Sequence, residues 1–444
     1  MRKELYEGYF KDKKVTVLGL GLLGRGLGDT QFLLKEGAEV ICTDTRSKEK
    51  LAESISVITH GDPSNLTLVI GENRLSDFER RDYVLTCAGM PVDYEYLEHA
   101  RKHGVPIYMS AALLSSIVMS ADLGVTIIGI TGTRGKTTTT QFIAHILRSS
   151  GMSAHLGGNV RGASNLPLLE ELNEGDFLVL ELDSWQLQGF REMKISPNIA
   201  VFTSFMDDHM NYYHNDKEAY FSDKAAIYRN QNEFDVLIAS HQAASEITKR
   251  EKVSMLIPAE RIFEMKLIGE HNQVAARLAY EVASQCGLSD EEIYEAIKTF
   301  EGVEGRLQDC GVFGGEKHIR VFNDNNATTE DATVAAIRAI NETYHKKPIV
   351  ILGGADKGLS LTNLEHALSE QVKVTVLLAG TGTDRLTVDK TYHCETLEEC
   401  VDQAFILAEK DDIILFSPAF ASFSKYFNNE YERNDAFIKS LEGK

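Results

Sequence analysis

A lysine and a threonine, Lys136-Thr137, stand behind Gly132 and Gly135, where the apolar run Val125, Ile127, Ile128 and Ile130 gives way to a segment with helical apolar spacing. Glycines at such a junction let backbone N–H groups come close to a phosphate. The lysine adds a point charge, the threonine a hydroxyl of the type that holds Mg²⁺, and the helix N-terminus its positive dipole end. The chemistry implied is a cradle for a nucleoside triphosphate. The match to G-x-x-x-x-G-K-[ST] is incomplete, because Ile130 stands where the first glycine belongs. A plain strand-to-helix turn rich in Gly and Thr is the alternative.

Two further groups could complete a metal-assisted site. Glu181 lies near the end of the apolar run Asp176–Leu182, and a carboxylate at a strand end beside a P-loop strand can hold Mg²⁺ directly or through water. Asp207-Asp208-His209-Met210 follows an expected strand, Ile199–Thr203, and brings acid and imidazole together, or forms a solvated acidic turn. Lys224, in the helical stretch Tyr220–Tyr228, reads from the residues alone as a solvated helix lysine.

The N-terminal segment carries a different signal. The expected strand Val15–Leu18 is followed by Gly19-Leu20-Gly21-Leu22-Leu23-Gly24, and a second strand, Glu39–Thr43, ends at Asp44, 20 residues after Gly24. Glycines for a tight turn and close approach to a diphosphate, then a carboxylate for a ribose, make a dinucleotide-binding spacing. It fits an NAD enzyme, and Asp44-Thr45-Arg46 equally fits a uridine diphosphate; a purely structural glycine turn stays open. Gly89 and Pro91 follow a third strand, Tyr83–Thr86, in a loop at the ligand edge of such a sheet.

These groups need strand-and-helix units to position them, and the chain alternates the two throughout. Its 444 residues suggest about three domains, bounded here at 1–120, 121–304 and 305–444 by the serine-containing stretch 115–123 and the glycine-rich run 302–306. In the last segment, strands at 319–322, 348–352, 374–378 and 413–416 each deliver small polar residues at their C-terminal ends. The fold class expected is α/β, with three doubly wound domains: a Rossmann-like N-terminal one, a P-loop central one that binds ATP, and a Rossmann-like C-terminal one. A net charge of −20 argues against nucleic acid or an anionic membrane as the main partner. Six scattered cysteines without C-x-x-C spacing read as reduced thiols, and the absence of an apolar signal core or spanning run points to a cytoplasmic protein.

Taken in order, TGTRGKTTTT, GGNV (157–160), ELDSWQL (181–187), DDHM (207–210), SDKAAIY (222–228), GEHN (269–272), Arg306, NDNNAT (323–328), GGADKG (353–358) and SPAFAS (417–422) resemble the Mur ligase family over essentially the whole chain. The G-x-G-x-x-G with Asp44-Thr45-Arg46 points, within that family, to the members that add D-glutamate to UDP-N-acetylmuramoyl-L-alanine in peptidoglycan synthesis. The resemblance implies that ATP activates the substrate carboxylate as an acyl phosphate, which the amino acid's amine then attacks. It implies two Mg²⁺ sites, with Thr137, Glu181, His209 and a carbamylated Lys224 serving metal. ATP would be held by Gly132, Thr133, Arg134, Gly135, Lys136, Thr137, Thr138, Asn272, Arg306 and Asp324. Lys136, Lys224, His209 and Arg306 would act in catalysis. The UDP-substrate would meet Gly19, Leu22, Leu23, Asp44, Thr45, Arg46, Gly89, Asn159 and Gln186; the amino acid would meet Thr328, Lys357, Ser422 and Phe423. Nothing in the sequence demands more than a monomer.

Several residues depart from the family pattern. Arg134 replaces a usual asparagine, Asp183 a common serine and Asn326 a common lysine; Asn325 and Gly305 are unusual; and after Ser422 one inserted residue puts Glu430 where an aromatic is expected. Loss of a cation at position 326 and gain of a carboxylate at 430 would repel glutamate unless another cation offsets them. A Mur-like ligase for a different amino acid, an NAD-dependent oxidoreductase and a non-catalytic nucleotide-binding regulator are therefore the alternatives.

Overall fold

In a computed structural model of the chain, all residues are described except 22, 23, 92, 161, 163, 423–426 and 428. The chain divides into two compact units, one of Met1–Glu260 with Arg277–Ala296, the other of Arg261–Ala276 with Ile297–Lys444. Leu22, Leu23 and Phe423, all expected at ligand sites, lie outside the described residues.

The first unit holds two sheets. Strands β1 (Lys14–Leu18), β2 (Glu39–Asp44), β3 (Leu66–Ile70), β4 (Tyr83–Thr86) and β5 (Ile107–Met109) form a parallel sheet in the order β3-β2-β1-β4-β5. Val15 and Val17 face one apolar cluster while Leu18 and Val84 face another, so both faces are covered, as parallel sheets require. The strand order reverses between β1 and β4, which opens a crevice at their C-terminal ends, where the glycine loop and the loop after Thr86 meet.

The second sheet contains β6 (Thr126–Thr131), β7 (Ala154–Gly158), β8 (Phe177–Glu181), β9 (Ile199–Phe202) and β10 (Val236–Ala239), again all parallel, in the order β10-β9-β6-β8-β7. The P-loop strand β6 is central, with β8 on one side and β9 on the other. The end of β8 and the loop after β9 therefore flank the loop after β6.

The serine-containing stretch 115–123 contributes the end of a helix, Ser110–Ala121, in which Ser115, Ile117 and Val118 are buried. The Ser115 hydroxyl donates to the Ala111 carbonyl and so needs no other partner. This helix and helix Ser184–Met193 are in contact, and a Cβ on Gly189 would stand 3.0 Å from that of Met109 and 3.2 Å from that of Ala112.

The second unit holds β11 (Gln308–Phe313), β12 (Ile319–Asn323), β13 (Ile349–Leu352), β14 (Val374–Leu378), β15 (Thr391–Cys394) and β16 (Ile413–Phe416), ordered β11-β12-β16-β13-β14-β15. Only β11 is antiparallel. Val350 and Leu352 join one apolar cluster and Ile349 and Ile351 another, which makes this sheet doubly wound as well. The strands β3, β7, β10, β11 and β15 carry no reading from the residues alone, and all five are sheet-edge strands, where half-exposed sequences lack the long apolar runs of central ones. Among the described residues all six cysteines are unpaired thiols, and no helix is long and apolar enough to cross a membrane.

Candidate active site

Gly132 has φ +147° and Gly135 φ +83°, and a Cβ on Gly132 would stand 2.0 Å from Thr203 Oγ1. Only glycine fits there. The loop is tied to the segment after β9: Thr133 N donates to Ser204 O at 2.8 Å, Arg134 N to Ser204 Oγ at 2.8 Å, and Thr203 Oγ1 to Arg134 O at 2.5 Å. Thr133 Oγ1 accepts from Met206 N at 3.0 Å and lies 3.3 Å from the Tyr220 hydroxyl. The cradle is thus held rigid from behind, while its helix, Lys136–Ser149, starts with Thr137 and Thr138 half-buried in the first turn. Thr203, Ser204 and Tyr220 escaped the sequence reading; a polar pair just past a central strand was the available signal.

Both expected catalytic lysines reach this loop. Lys136 Nζ donates to Gly132 O at 2.9 Å and Thr133 O at 3.2 Å. Lys224, on helix Lys217–Ala225, is no solvated lysine: it is 1% exposed, and its Nζ donates to Gly132 O at 2.9 Å and sits 5.0 Å from the Tyr220 ring centroid. The helix turns Tyr220 and Lys224, four residues apart, to the same buried face. Burial pushes the Lys224 amine well below its usual 10.5, the Lys136 cation lowers it further, and Asp183 and Asp208 oppose. Lys136 is also lowered by burial, against the raising influence of Glu181 and Asp183.

Glu181 ends β8 beside Ile130 of β6 and is buried. On its far side a Cβ on Gly158 would stand 2.1 Å from the Glu181 carbonyl oxygen, and Asn159 N donates to that same oxygen at 2.7 Å. His209, at φ +54°, is half-exposed; partial burial lowers its pKa from 6.5, Asp208 opposes, and the Lys136 and Lys224 cations add to the lowering. Its imidazole is therefore neutral near pH 7 and able to ligate a cation. The departure at position 134 is balanced locally, since Arg134 pairs with Asp208 at 2.8 Å. Asp183 keeps the role a serine would have: it caps helix Ser184–Met193 in a capping box, accepting from Gln186 N at 2.8 Å while Gln186 Oε1 accepts from Asp183 N at 3.2 Å.

The loop after β4 and this P-loop edge are connected through Trp185, another residue the sequence reading passed over. A Cβ on Gly89 would stand 3.9 Å from the indole, whose ring centroid is 4.5 Å from that of His209. Asp44, buried at the end of β2, accepts from Gly21 N at 3.2 Å and Arg46 N at 2.9 Å and pairs with Arg46 NH1 at 3.2 Å. Gly19, at φ +100°, faces Cys87, and Thr45 follows directly in the same loop as Arg46.

In the second unit the residues expected to hold an amino acid converge. Lys357 Nζ donates to Thr328 Oγ1 at 2.9 Å, and the Ala355–Ala421 bridge brings the loops after β13 and β16 together, with buried Ser422 next in line. Asn272 and Asp324 are buried; Asn272 Nδ2 donates to Ile268 O at 2.8 Å. Asp324 accepts from Leu307 N at 3.0 Å and Ser417 Oγ at 2.9 Å, and burial raises its pKa to about 7 while Arg306 lowers it.

The departures in this unit form one cluster. Gly305, at φ +68°, faces the Asn326 and Asn434 side chains, each 3.1 Å from its would-be Cβ. Asn325 accepts from Arg433 Nε at 2.9 Å through its side chain and from Arg433 NH2 at 2.8 Å through its carbonyl, and donates to the Glu430 carbonyl at 2.9 Å. Arg433, 1% exposed, thus supplies a cation behind the turn that lost its lysine, and the Glu430 carboxylate favours its charge against the burial that lowers its pKa to about 10.

Residues 130–257 match the Mur ligase middle domain, and residues 305–420 match the domain described as Mur ligase, glutamate ligase domain. The chain is 30% identical to a UDP-N-acetylmuramoylalanine–D-glutamate ligase of Koribacter versatilis, over 97% of both chains. It is 31% identical to a ligase of the same name from a Roseiflexus species, over 97% of this chain and 98% of the other. Among solved structures it is similar to a UDP-N-acetylmuramate-alanine ligase of Thermotoga maritima, with a TM-score of 0.62 at 19% identity over 96% of this chain and 98% of that one. With a P-loop, two converging lysines and full-length likeness to these ligases, the chain belongs to the Mur ligase family.

Proposed function

We propose that this chain is the ligase that joins D-glutamate to UDP-N-acetylmuramoyl-L-alanine with cleavage of ATP, in the synthesis of peptidoglycan precursors on which cell wall, cell shape and division depend. The observation that carries the choice of substrates is likeness along 97% of the chain to two ligases bearing that activity in their names. The reading places it in the cytoplasm as a monomer of three domains, 1–120, 121–304 and 305–444.

The residues present fit a hard divalent cation. Thr137, Glu181 and His209 offer hydroxyl, carboxylate and neutral imidazole, and Lys224 has the environment of a carbamate-forming lysine. Burial lowers the pKa of its amine, which favours the neutral, nucleophilic form. Its nitrogen adds to the carbon of CO₂, one proton leaves to solvent, and a carboxylate takes the place of the neutral amine in the site. Mg²⁺, when bound at two such positions, would neutralise phosphate and carboxylate charge.

The chain's own groups then divide the work. The N–H groups of residues 132–138 and Lys136 hold the polyphosphate of ATP; to do so the Lys136 ammonium exchanges the Gly132 and Thr133 carbonyls for phosphate oxygens. Asn272, Arg306 and Asp324 serve the nucleotide, with Arg306 toward the transferring phosphate. Asp44, Thr45, Arg46, Gly19 and Gly89 hold the UDP end, and Asn159 and Gln186 the muramoyl end. A substrate carboxylate oxygen attacks the γ-phosphorus and ADP leaves. The neutral amine of D-glutamate adds to the acyl carbon of the resulting acyl phosphate, its nitrogen loses one proton to solvent, and collapse of the tetrahedral adduct expels phosphate. Lys357, Thr328 and Ser422 receive the carboxylates of the amino acid.

Phosphate release from ATP with UDP-N-acetylmuramoyl-L-alanine, across D-glutamate, L-glutamate, D-aspartate and neutral and basic amino acids, tests this with product mass as second readout. Release and a product with D-glutamate alone is expected. Release with another amino acid overturns the substrate, and silence across the panel with ATP still bound favours the regulator.

A further inference from the structure

In the domain of the first sheet, and sharing no residue with the ligase site, Glu79, His99 and His103 place one ligand atom each within 4.8 Å of one another. His99 Nε2 is 2.8 Å and His103 Nε2 4.0 Å from the same Glu79 oxygen, and the two imidazole centroids are 4.2 Å apart. The histidines are four residues apart at the C-terminal end of helix Glu95–Lys102, on one helix face, where the carbonyl end of the dipole favours a cation.

The orientation of His103 is the more telling observation. Its Nδ1 lies 2.9 Å from the His99 carbonyl oxygen. A carbonyl only accepts, so in the neutral ring Nδ1 carries the proton and Nε2 keeps its lone pair, turned toward Glu79. A backbone carbonyl behind a ring in this way is the usual orienting partner of a metal-ligating histidine.

The framework is preorganised. Phe78, which immediately precedes Glu79, and Leu97 and Ala100, which flank His99, are buried in one apolar cluster with Leu18, Val84 and Val105. The Phe78 and Tyr96 rings are 5.4 Å apart. Donor atoms around a tetrahedral Zn²⁺ stand about 3.4 Å apart at Zn–N and Zn–O distances of about 2.0–2.1 Å. The observed 2.8 and 4.0 Å bracket that value, so small side-chain rotations close the site. His103 is half-exposed, which leaves solvent access for a water as fourth ligand.

We propose that Glu79, His99 and His103 bind one divalent transition-metal ion that clasps the Leu75–Phe78 turn to helix Glu95–Lys102. Two imidazoles and one carboxylate favour Zn²⁺ over Mg²⁺, which prefers oxygen ligands and keeps most of its water. The site shares no residue with the ligase centre.

Zn²⁺ titration of the tag-free full chain by calorimetry, with Mg²⁺ in excess, tests the assignment. One Zn²⁺ per chain is expected, with a raised unfolding temperature, and His103→Ala, His99→Ala and Glu79→Gln each weakening it by about tenfold or more. Co²⁺ should give visible d–d absorption bands that His103→Ala abolishes. Ligase activity in metal-chelated buffer restored with Mg²⁺ alone should be unchanged in His103→Ala. Should His99→Ala fold poorly, His103→Ala, at an exposed helix end, still decides. Absence of stoichiometric Zn²⁺ binding, or binding that His103→Ala and Glu79→Gln leave intact, overturns the proposal.

Discussion

Lys136 and Lys224, 88 positions apart in the chain, donate to one acceptor, the carbonyl oxygen of Gly132, each at 2.9 Å. Two cations on one carbonyl repel each other, and each lowers the other's affinity for a proton or is relieved by becoming neutral. Lys224, 1% exposed, is the one whose pKa is lowered further, in the direction the proposed carbamylation needs.

Lys224→Met should flatten the pH dependence of stability in CO₂-free buffer. In the unfolded chain the amine titrates near 10.5, and in the fold it titrates lower. Between those values the unfolded chain binds the extra proton, so wild-type stability is full above the unfolded value and is lost as pH falls through the folded one. Unfolding temperatures across pH 6 to about 10 check this; a wild-type curve as flat as that of the variant refutes the lowered pKa. Lys224→Ala should separately lose at least about 100-fold in turnover and regain part of it with short carboxylic acids.

Lys136→Ala should reduce kcat by about 100-fold or more, as loss of one preorganised donor to a developing anion does. Among the described residues its Nζ bonds loop carbonyls alone, so the unfolding temperature should hold within a few degrees. An active variant would remove the P-loop from the mechanism.

Asp324 works in the opposite sense to Lys224. Its carboxyl is raised from 3.8 to about 7, so the folded chain holds a proton the unfolded chain has lost. That stabilisation is complete below the unfolded value and disappears as pH rises through about 7. Asp324→Asn keeps an acceptor for Leu307 N and should show no such decline between about pH 4 and 7 in urea titrations.

Arg433→Ala should destabilise by about 3 kcal/mol, because Asn325 Oδ1, Asn325 O and Phe420 O each lose a donor at about 1 kcal/mol. KM for the amino acid should rise as the Asn323–Thr328 turn loosens. Arg433→Lys restores charge without the fork; if it recovers KM fully, charge alone, and not the three-point geometry, is what the turn requires.

The residues alone determined the α/β class, the central strands β1, β6, β8 and β12, and the loops after them, because central parallel strands are buried on both faces and read as apolar runs that stop at glycines or acids. They also singled out Gly132, Lys136, Glu181 and His209 as candidate site residues, which the fold brings to the ends of β6 and β8 and the loop after β9. Tertiary structure decided what depends on partners distant in sequence. Lys224 is an ordinary helix lysine until the helix sets it, with Tyr220, against the P-loop. Trp185 acquires a role only where Gly89 and His209 meet it. The unusual Gly305, Asn325 and Asn326 become intelligible as one packed group with Arg433 and Asn434, residues about 100 positions away, whose charge and hydrogen bonds no local pattern encodes.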